Sequence, residues 1–424
     1  MDTSTVDEIK SKVEAYESEI VSVASRLIQF PTISLTGETR ECVDFIKSYS
    51  EKLGLEATFH EKKKNRTNAH VRVPGRPDKK LIWLGHFDVV PVGQPDKWSH
   101  KPFGGEVENG RVYGRGASDM KGSCAAAMVA AKALSEMEEH EHATVDLWFT
   151  CDEEVGAHDG TRWLVEKKLL SGEACVIGDA FGSVPKEPWV DVGCKGYLRT
   201  RLRAFGKTAH GSAPFRGDNA IDKLILATEK AKQIEDFALA LPEDLKPLTE
   251  ATIKFLLKEG KWAEPQKKAI LRVLDYPTVS LGLIKAGIKI NVVPDSAEAS
   301  FDIRITPSVD PKSVEREMLR LLAGFSAEDL KVETIDVESG YYERWDSPFA
   351  ESLKKAVELT TGKKPLPKIL LGATDAVPLK RGLRIPCLGF GAGDEALAHA
   401  PDEYVTVENL VMATKVYAIL PLIY

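Results

Sequence analysis

The sequence predicts an α/β fold in which one domain, a mostly parallel sheet flanked by helices, is interrupted by an inserted α+β domain. Three observations predict it. Apolar strand-like runs alternate with helical patterns through the first half of the chain, the signature of βαβ units. Near residue 193 the patterning changes to polar–apolar alternation, the sign of half-buried antiparallel strands. The βα pattern resumes at "PFAESLKKAVELTTG" (348–362) and runs to the end. The expected boundaries are 1–193 with 339–424 for the first domain and 194–338 for the insertion. A chain of 424 residues also exceeds one ordinary core, which favours two domains.

Taken in order, a helix is expected near 6–28, then the turn "FPTIS" (30–34), then a helix over about 38–53. Strands follow at "EATFH" (56–60), "AHVRV" (69–73) and "LIWLGHF" (81–87). The small-residue run "CAAAMVAAKALSEM" (124–137) reads as a helix, "TVDLWFTCD" (144–152) as a strand, "GTRWLVEKKLL" (160–170) as a helix and "ACVIGD" (174–179) as a strand. In the insertion, "KGYLRTRLRAFG" (195–206) alternates polar and apolar residues, and a helix follows near 218–236. Residues 237–277 are helical in pattern and rich in Leu, Lys and Glu, with no function assigned. Strands at 278–287, 296–306 and 330–337 and a helix at 311–323 complete the insertion.

Composition narrows the function classes. Hydrophobic residues make up 43% and charged residues 29%, as in a soluble globular chain. A formal charge of −7 argues against a nucleic-acid partner, which needs a basic surface. The cluster "EKKKNR" (61–66) reads as a solvated loop. Residues 1–20 are polar and lack a secretory pattern, and no run of about 18 apolar residues exists to cross a membrane. The six scattered cysteines form no C-x-x-C pair, which suits reduced thiols in the cytoplasm and argues against a thiolate zinc site.

Chemistry is expected at the carboxyl ends of parallel strands. His86 and Asp88 follow "LIWLG", Asp152, Glu153 and Glu154 follow "LWFTC", and Asp179 follows "CVIG". Asp119 lies in "GRGASDMKG" (114–122) before the small-residue helix, and His399 lies in "LAHAPDEY" (397–404). Each has a bland alternative: a satisfied core histidine, a helix cap, a solvated pair, a turn residue. Their shared topological position favours one site. Two histidines and several carboxylates can share that site only if positive charge neutralises them, as a divalent metal does. Nitrogen and oxygen donors without cysteine suit zinc, cobalt or manganese.

At these residues the sequence resembles the M20 family of metallopeptidases and amidohydrolases, which includes acetylornithine deacetylase, succinyl-diaminopimelate desuccinylase, aminoacylases, glutamate carboxypeptidase and carnosine-type dipeptidases. "GHFDVVPVG", "GRVYGRGASDMKG", "DEEVGAHDG" (152–160) and "HAPDEYV" (399–405) resemble its motifs, and the resemblance covers nearly the whole chain. It implies that the first domain is catalytic and the insertion is a lid. It implies two divalent ions, zinc first, with His86 and Asp179 on one, Glu154 and His399 on the other, and Asp119 bridging. Asp88 would orient His86, and a cis peptide is implied at Asp119–Met120. Glu153 would be the general base toward a metal-activated water. His210 in "FGKTAHGSAP" (205–214) would stabilise the oxyanion, supplied by the partner subunit in dimeric members, so a homodimer through the lid is implied. Asn291, Arg304, Gly372 and Thr374 match substrate-binding positions, with Arg304 suited to a bidentate grip on a carboxylate.

One cue divides the family. Many deacylases and the glutamate carboxypeptidase carry glutamate where this chain has Asp179, whereas the aminopeptidase and dipeptidase branches more often carry aspartate; "HAPDEYV" looks closer to the deacylases. An exopeptidase or dipeptidase is the leading expectation, an N-acyl-amino-acid deacylase the alternative. A non-catalytic binding protein on the same fold would lack a ligand or the base, and none is missing. A dinucleotide-binding enzyme, suggested by "GRGASDMKG", fails on glycine spacing and on the absent strand-to-helix fingerprint.

Overall fold

The computed structural model describes residues 3–34, 36–138, 141–180, 183–184 and 187–424. The chain divides into two compact units. One comprises Met1–Val192, Glu343–Lys368 and Thr374–Tyr424; the other comprises Gly193–Tyr342 with Ile369–Ala373.

In the first unit, four parallel strands form the middle of a large sheet. Arg76–His86 lies between Ala143–Thr150 and Ala174–Ile177, and Cys387–Gly389 pairs with Ala174–Ile177 on the far side. Their apolar runs are buried on both faces, as parallel strands covered by helices require. Antiparallel strands flank this centre: Glu56–Lys63 and Arg66–Val73 on one side, Glu187–Cys194 on the other. The small-residue helix Gly122–Ser135 is almost wholly buried, and the apolar helix Val407–Ile423 packs against it. Trp83 meets Tyr417 edge-on at 5.7 Å, and the Tyr417 hydroxyl donates to the Phe390 carbonyl at 2.6 Å.

The structure corrects several expected elements. The first helix is two, Thr3–Ala15 and Glu17–Ile28, broken where Tyr16 turns its hydroxyl to Glu136. The helix expected over 160–170 covers only Thr161–Glu166, because Lys168 takes a left-handed φ of 57°. The strand Glu187–Cys194 was not anticipated; its Pro, Asp and Gly hide an element that is buried from Pro188 onward. The lysine cluster is not merely solvated: Lys62 and Lys63 lie 3.6 and 3.3 Å from the carboxylate of Asp159, in the loop that follows Glu154. Among the described residues no helix is long and apolar enough to cross a membrane.

The second unit is built on a four-stranded antiparallel sheet. Its order is Thr278–Ala286, Ser296–Ile305, Gly196–Phe205, Leu330–Glu338. Alternation decides its faces. Leu198, Leu202, Phe301, Ile303 and Ile305 turn into a core closed by Leu224 and Ala227 of helix Ala220–Lys232 and by Val314 and Met318 of helix Pro311–Leu321. The other face carries Arg199, Asp302 and Arg304. Residues 237–277 form helices Lys246–Glu259 and Glu264–Arg272. They are tied to the rest of the unit by polar contacts: the Ile369 amide donates to Thr252 Oγ1 at 2.8 Å, and Lys195 Nζ donates to the Val273 carbonyl at 2.6 Å and to Thr278 Oγ1 at 3.2 Å.

Lys195 is wholly inaccessible, and burial, with Arg304 nearby, pushes its pKa down from 10.5 to about 7. Between those values the unfolded chain holds a proton that the folded chain does not. Stability therefore rises with pH through that window, by about 1.4 kcal/mol per pH unit, and the deficit is fully present below the folded value. Urea unfolding of wild type and Lys195→Met from pH 7 to pH 10 should show this slope in wild type and not in the variant; parallel profiles would disprove it.

Candidate metal centre

Three parallel strands end side by side, and each is followed by acidic or imidazole groups. Arg76–His86 ends in His86 itself, Ala143–Thr150 leads into Asp152, Glu153 and Glu154, and Ala174–Ile177 leads through Gly178 to Asp179. Asp119 arrives from the loop before helix Gly122–Ser135, where the Asp119–Met120 peptide is cis. Met120 seats that loop. Its buried side chain fills the space beside Gly85 and Gly178, the glycines that directly precede His86 and Asp179. A Cβ at Gly85 would come within 2.2 Å of Met120 Cε, and one at Gly178 within 2.8 Å.

Two groups of donors converge, and Asp119 belongs to both. His86, Asp119 and Asp179 each offer an atom within 4.8 Å of the others, and so do Asp119, Glu154 and His399. His86 Nε2 lies 3.2 Å from Asp119 Oδ1, while His399 Nε2 lies 3.2 Å from Asp119 Oδ2 and 3.1 Å from Glu154 Oε1. The Asp88 carbonyl, 3.1 Å from His86 Nδ1, can only accept, so Nδ1 carries a proton and Nε2 is the ring nitrogen turned to Asp119. The orienting contact is thus the Asp88 backbone; its carboxylate stands farther off at 3.5 Å. That carboxylate instead accepts from the Glu153 amide at 3.0 Å and the Ser34 hydroxyl at 2.6 Å, which links the strand end bearing His86 to the turn bearing Glu153.

The electrostatics are those of crowded negative charge. Burial, reinforced by Asp119 and Glu154, raises Asp179 well above the usual carboxylate range. Burial, with Asp179, Asp375 and Glu154, does the same to Glu153 against the opposing pull of His86. Burial opposes ionisation of Asp119, yet hydrogen bonds from His399 and His86 hold it well below that range. Hydrogen bonds to Asp119 and Glu154 push His399 up to about 10. The two imidazoles therefore hold protons among the carboxylates, where positive charge is needed.

The other expected site residues fall as follows. His210, Asn291, Arg304 and Gly372 lie in the second unit and Thr374 in the first. His210 and Asn291 are neighbours: Ala209–His210 pairs with Val292–Val293, and the Gly211 amide donates to the Asn291 carbonyl at 2.8 Å. A Cβ at Gly211 would meet the Asn291 backbone at 3.0 Å. His210 Nδ1 accepts the Ser212 amide at 3.2 Å, which leaves Nε2–H as the donor of the neutral ring. Arg304 is already paired, with both oxygens of Asp302 at 2.7 and 3.2 Å. Thr374 is buried and its hydroxyl accepts the Ala376 amide at 3.3 Å.

Sequence reasoning passed over Arg115 and Glu403, although both lie in the motifs it quoted. Arg115 Nη1 meets Glu403 Oε2 at 2.6 Å, and Glu403 Oε1 accepts the amides of Ser118 and Asp119 at 2.9 and 3.0 Å. Two opposite charges within stretches this buried were the available signal.

Residues 82–422 match the model of peptidase family M20/M25/M40. A succinyl-diaminopimelate desuccinylase of Xanthobacter autotrophicus is 30% identical over 409 residues, covering 94% of this chain and 97% of that protein. Among solved structures, an M20 family metallo-carboxypeptidase from Sulfolobus solfataricus superposes with a TM-score of 0.79 at 24% identity, covering 96% of this chain and 99% of that one. A dinuclear metal-binding peptidase of the M20 family from Bacillus subtilis superposes with a TM-score of 0.66 at 18% identity, covering 97% and 98%. At these identities the superpositions speak to the fold.

The glycine seat makes a prediction. Gly85→Ala presses on Met120 Cε and on the Trp83 ring, 2.2 and 2.6 Å from the added Cβ, and should cost about 1–3 kcal/mol of stability, as overpacking does. Urea unfolding of the metal-free protein measures it, and an unchanged midpoint would show that the seat can give.

Proposed function

The chain belongs to peptidase family M20/M25/M40, and from that premise we propose that it hydrolyses an amide bond in a small peptide or an N-acyl amino acid. The observation that carries the reading is the sharing of Asp119 between two groups of nitrogen and oxygen donors. The residues fit a pair of divalent ions. Asp179 Oδ1 is buried with no hydrogen-bond partner among the described residues, and no thiol joins either donor group. His86 and Asp179 would hold one ion, Glu154 and His399 the other, and Asp119 both; zinc suits this donor set, as do cobalt and manganese. Bound there, the ions would supply Lewis-acid charge to the substrate carbonyl and lower the pKa of water.

The chain's own residues would do the rest. The carboxylate of Glu153 takes a proton from the attacking water and returns it to the leaving nitrogen. Asp88 fixes this base through its amide and fixes the His86 ring through its own carbonyl. His210, supplied by a second copy in a dimer, donates Nε2–H to the developing oxyanion and needs no added proton to do so. Arg304 exchanges Asp302 for the substrate carboxylate, and Asn291, Gly372 and Thr374 complete the substrate contacts.

An exopeptidase or dipeptidase is favoured by Asp179. A deacylase is favoured by the name of the Xanthobacter relative, a desuccinylase. The zinc- or cobalt-loaded protein, given a mixture of dipeptides and N-acyl amino acids and followed by mass spectrometry, should consume one class. Loss of dipeptides supports the peptidase reading, and loss of acyl groups the deacylase reading. Glu153→Gln should lower turnover by at least about 10²-fold; full activity in that variant would refute the assigned base.

We also propose a homodimer through the second unit. Thr278–Ala286 is an edge strand, and Leu283, Ile284, Ile288 and Ile290 on and after it are exposed, as are Ile225 and Leu226 of helix Ala220–Lys232. An unpaired apolar edge invites pairing with its own copy. Sedimentation should give a dimer, and Ile284→Glu should shift it toward monomer. A fully active wild-type monomer would rule out the shared-site version.

A further inference from the structure

Arg115 and Glu403 are both buried, at 2% and 0% exposure, and their ion pair organises the two loops that carry Asp119 and His399. On one side Glu403 Oε1 takes the backbone amides of Ser118 and Asp119. On the other, Arg115 Nη1 donates to the Ala400 carbonyl at 3.2 Å and Nη2 to the His399 carbonyl at 3.1 Å. The main chain adds to this: the Gly114 amide donates to the Glu403 carbonyl at 2.8 Å.

The need for such a device is local. His86 is the last residue of its strand, and Asp179 follows Gly178, whose amide donates to the Leu84 carbonyl at 2.8 Å, so both sit close to hydrogen bonds of the sheet. His399 lies in no strand or helix and holds a φ of 64°, a left-handed value that a histidine does not adopt by preference. Something outside its own backbone must hold it. A buried ion pair is a poor source of stability, since an apolar pair of similar volume often serves as well. A planar, permanently charged fork is suited to holding one carboxylate and two carbonyls at fixed angles, as Arg115 does.

We infer that Arg115 and Glu403 are a positioning pair that presets Asp119 and His399 for the ion they would share with Glu154. The inference rests on the two-ion reading above. Neither residue touches an ion; both act through the backbones of residues that would. Losing the pair therefore weakens the ion of Glu154 and His399 more than the other, because that ion loses the placement of both Asp119 and His399, whereas the other shares only Asp119 with it and keeps His86 and Asp179.

The test is a zinc titration of the full-length protein against a chromophoric chelator, for wild type, Glu403→Gln, Arg115→Lys and His399→Ala. Wild type should bind two ions. Glu403→Gln, nearly isosteric, should keep one within about threefold and lose about 10–100-fold in affinity for the other, the range typical of groups behind a metal ligand. His399→Ala should lose that same ion, and excess zinc should restore turnover to Glu403→Gln, which a mere loss of fold would not allow. Unchanged affinities in Glu403→Gln, or equal weakening of both ions, would overturn the inference. If Glu403→Gln does not fold, Arg115→Lys is read in its place; if neither folds, the pair is structural and the inference falls. Fewer than two ions in wild type, or two retained in His399→Ala, would instead strike the two-ion reading and remove the inference with it.

Discussion

Negative charge crowded into low-dielectric space is the constraint on which the first unit depends. Asp119, Glu154 and Asp179 are close neighbours with Glu153, and desolvation, reinforced by neighbouring carboxylates, lifts Glu153, Glu154 and Asp179 toward their neutral forms. Asp119 stays ionised because two imidazoles bring protons to it. The sheet supplies the geometry of this crowding by ending three parallel strands side by side, and the cost of doing so is met by whatever cation occupies the space between. Protons on His86 and His399 are one answer. Divalent ions are a denser one, and they would have to displace those protons to enter.

The chemistry was legible in the sequence where a motif coincided with a strand end. His86, Glu153, Glu154 and Asp179 each follow an apolar run whose length and composition mark a buried strand, so their common location could be read from patterning alone. Asp119 and His399 are grouped with them in the sequence by the same topological argument and by charge, yet each lies in a loop several residues from its nearest strand. What stayed hidden has physical reasons. The orienting atom on His86 is a backbone carbonyl, and backbone atoms leave no residue-type signal. Gly85 and Gly178 carry no mark of their role in the sequence; only their contacts with Met120 and the Trp83 ring show why a side chain is barred there. The strand Glu187–Cys194 carries Pro, Asp and Gly within an apolar run, so periodicity under-reads it. The break at Tyr16, whose hydroxyl donates to Glu136 far along the chain, falls where no Gly or Pro marks it.

In the second unit the four long strands and the helices Ala220–Lys232 and Pro311–Leu321 lie close to their expected bounds, because alternation is strong when one sheet face is buried and the other wet. The state of Arg304 was not legible in the same way. An arginine on the polar face looks free in a sequence, yet here Asp302, two residues away on the same face, occupies its fork. Any carboxylate that binds Arg304 must compete with an intramolecular one, so affinity there reflects an exchange of partners and is smaller than a fresh ion pair would suggest. The 237–277 segment was likewise unreadable in purpose. Its ties through Lys195 and Thr252 show it bracing the sheet and the 369–373 segment.

The donors that meet at Asp119 span nearly the whole chain, from His86 near its first fifth to His399 close to its end. Such contacts have high sequence separation, and closing them is slow compared with forming helices or hairpins. The Met120 seat adds an order of events. Strands 76–86 and 174–177 must lie side by side before Gly85 and Gly178 present the space that the loop occupies, and the C-terminal segment must arrive before Glu403 can take the Asp119 amide. A chain emerging from the ribosome therefore cannot assemble both donor groups until the segment bearing His399 has been made. Metal would then be a late ligand, trapping a fold already made rather than nucleating it, and its contribution to stability would follow mass action on a finished site.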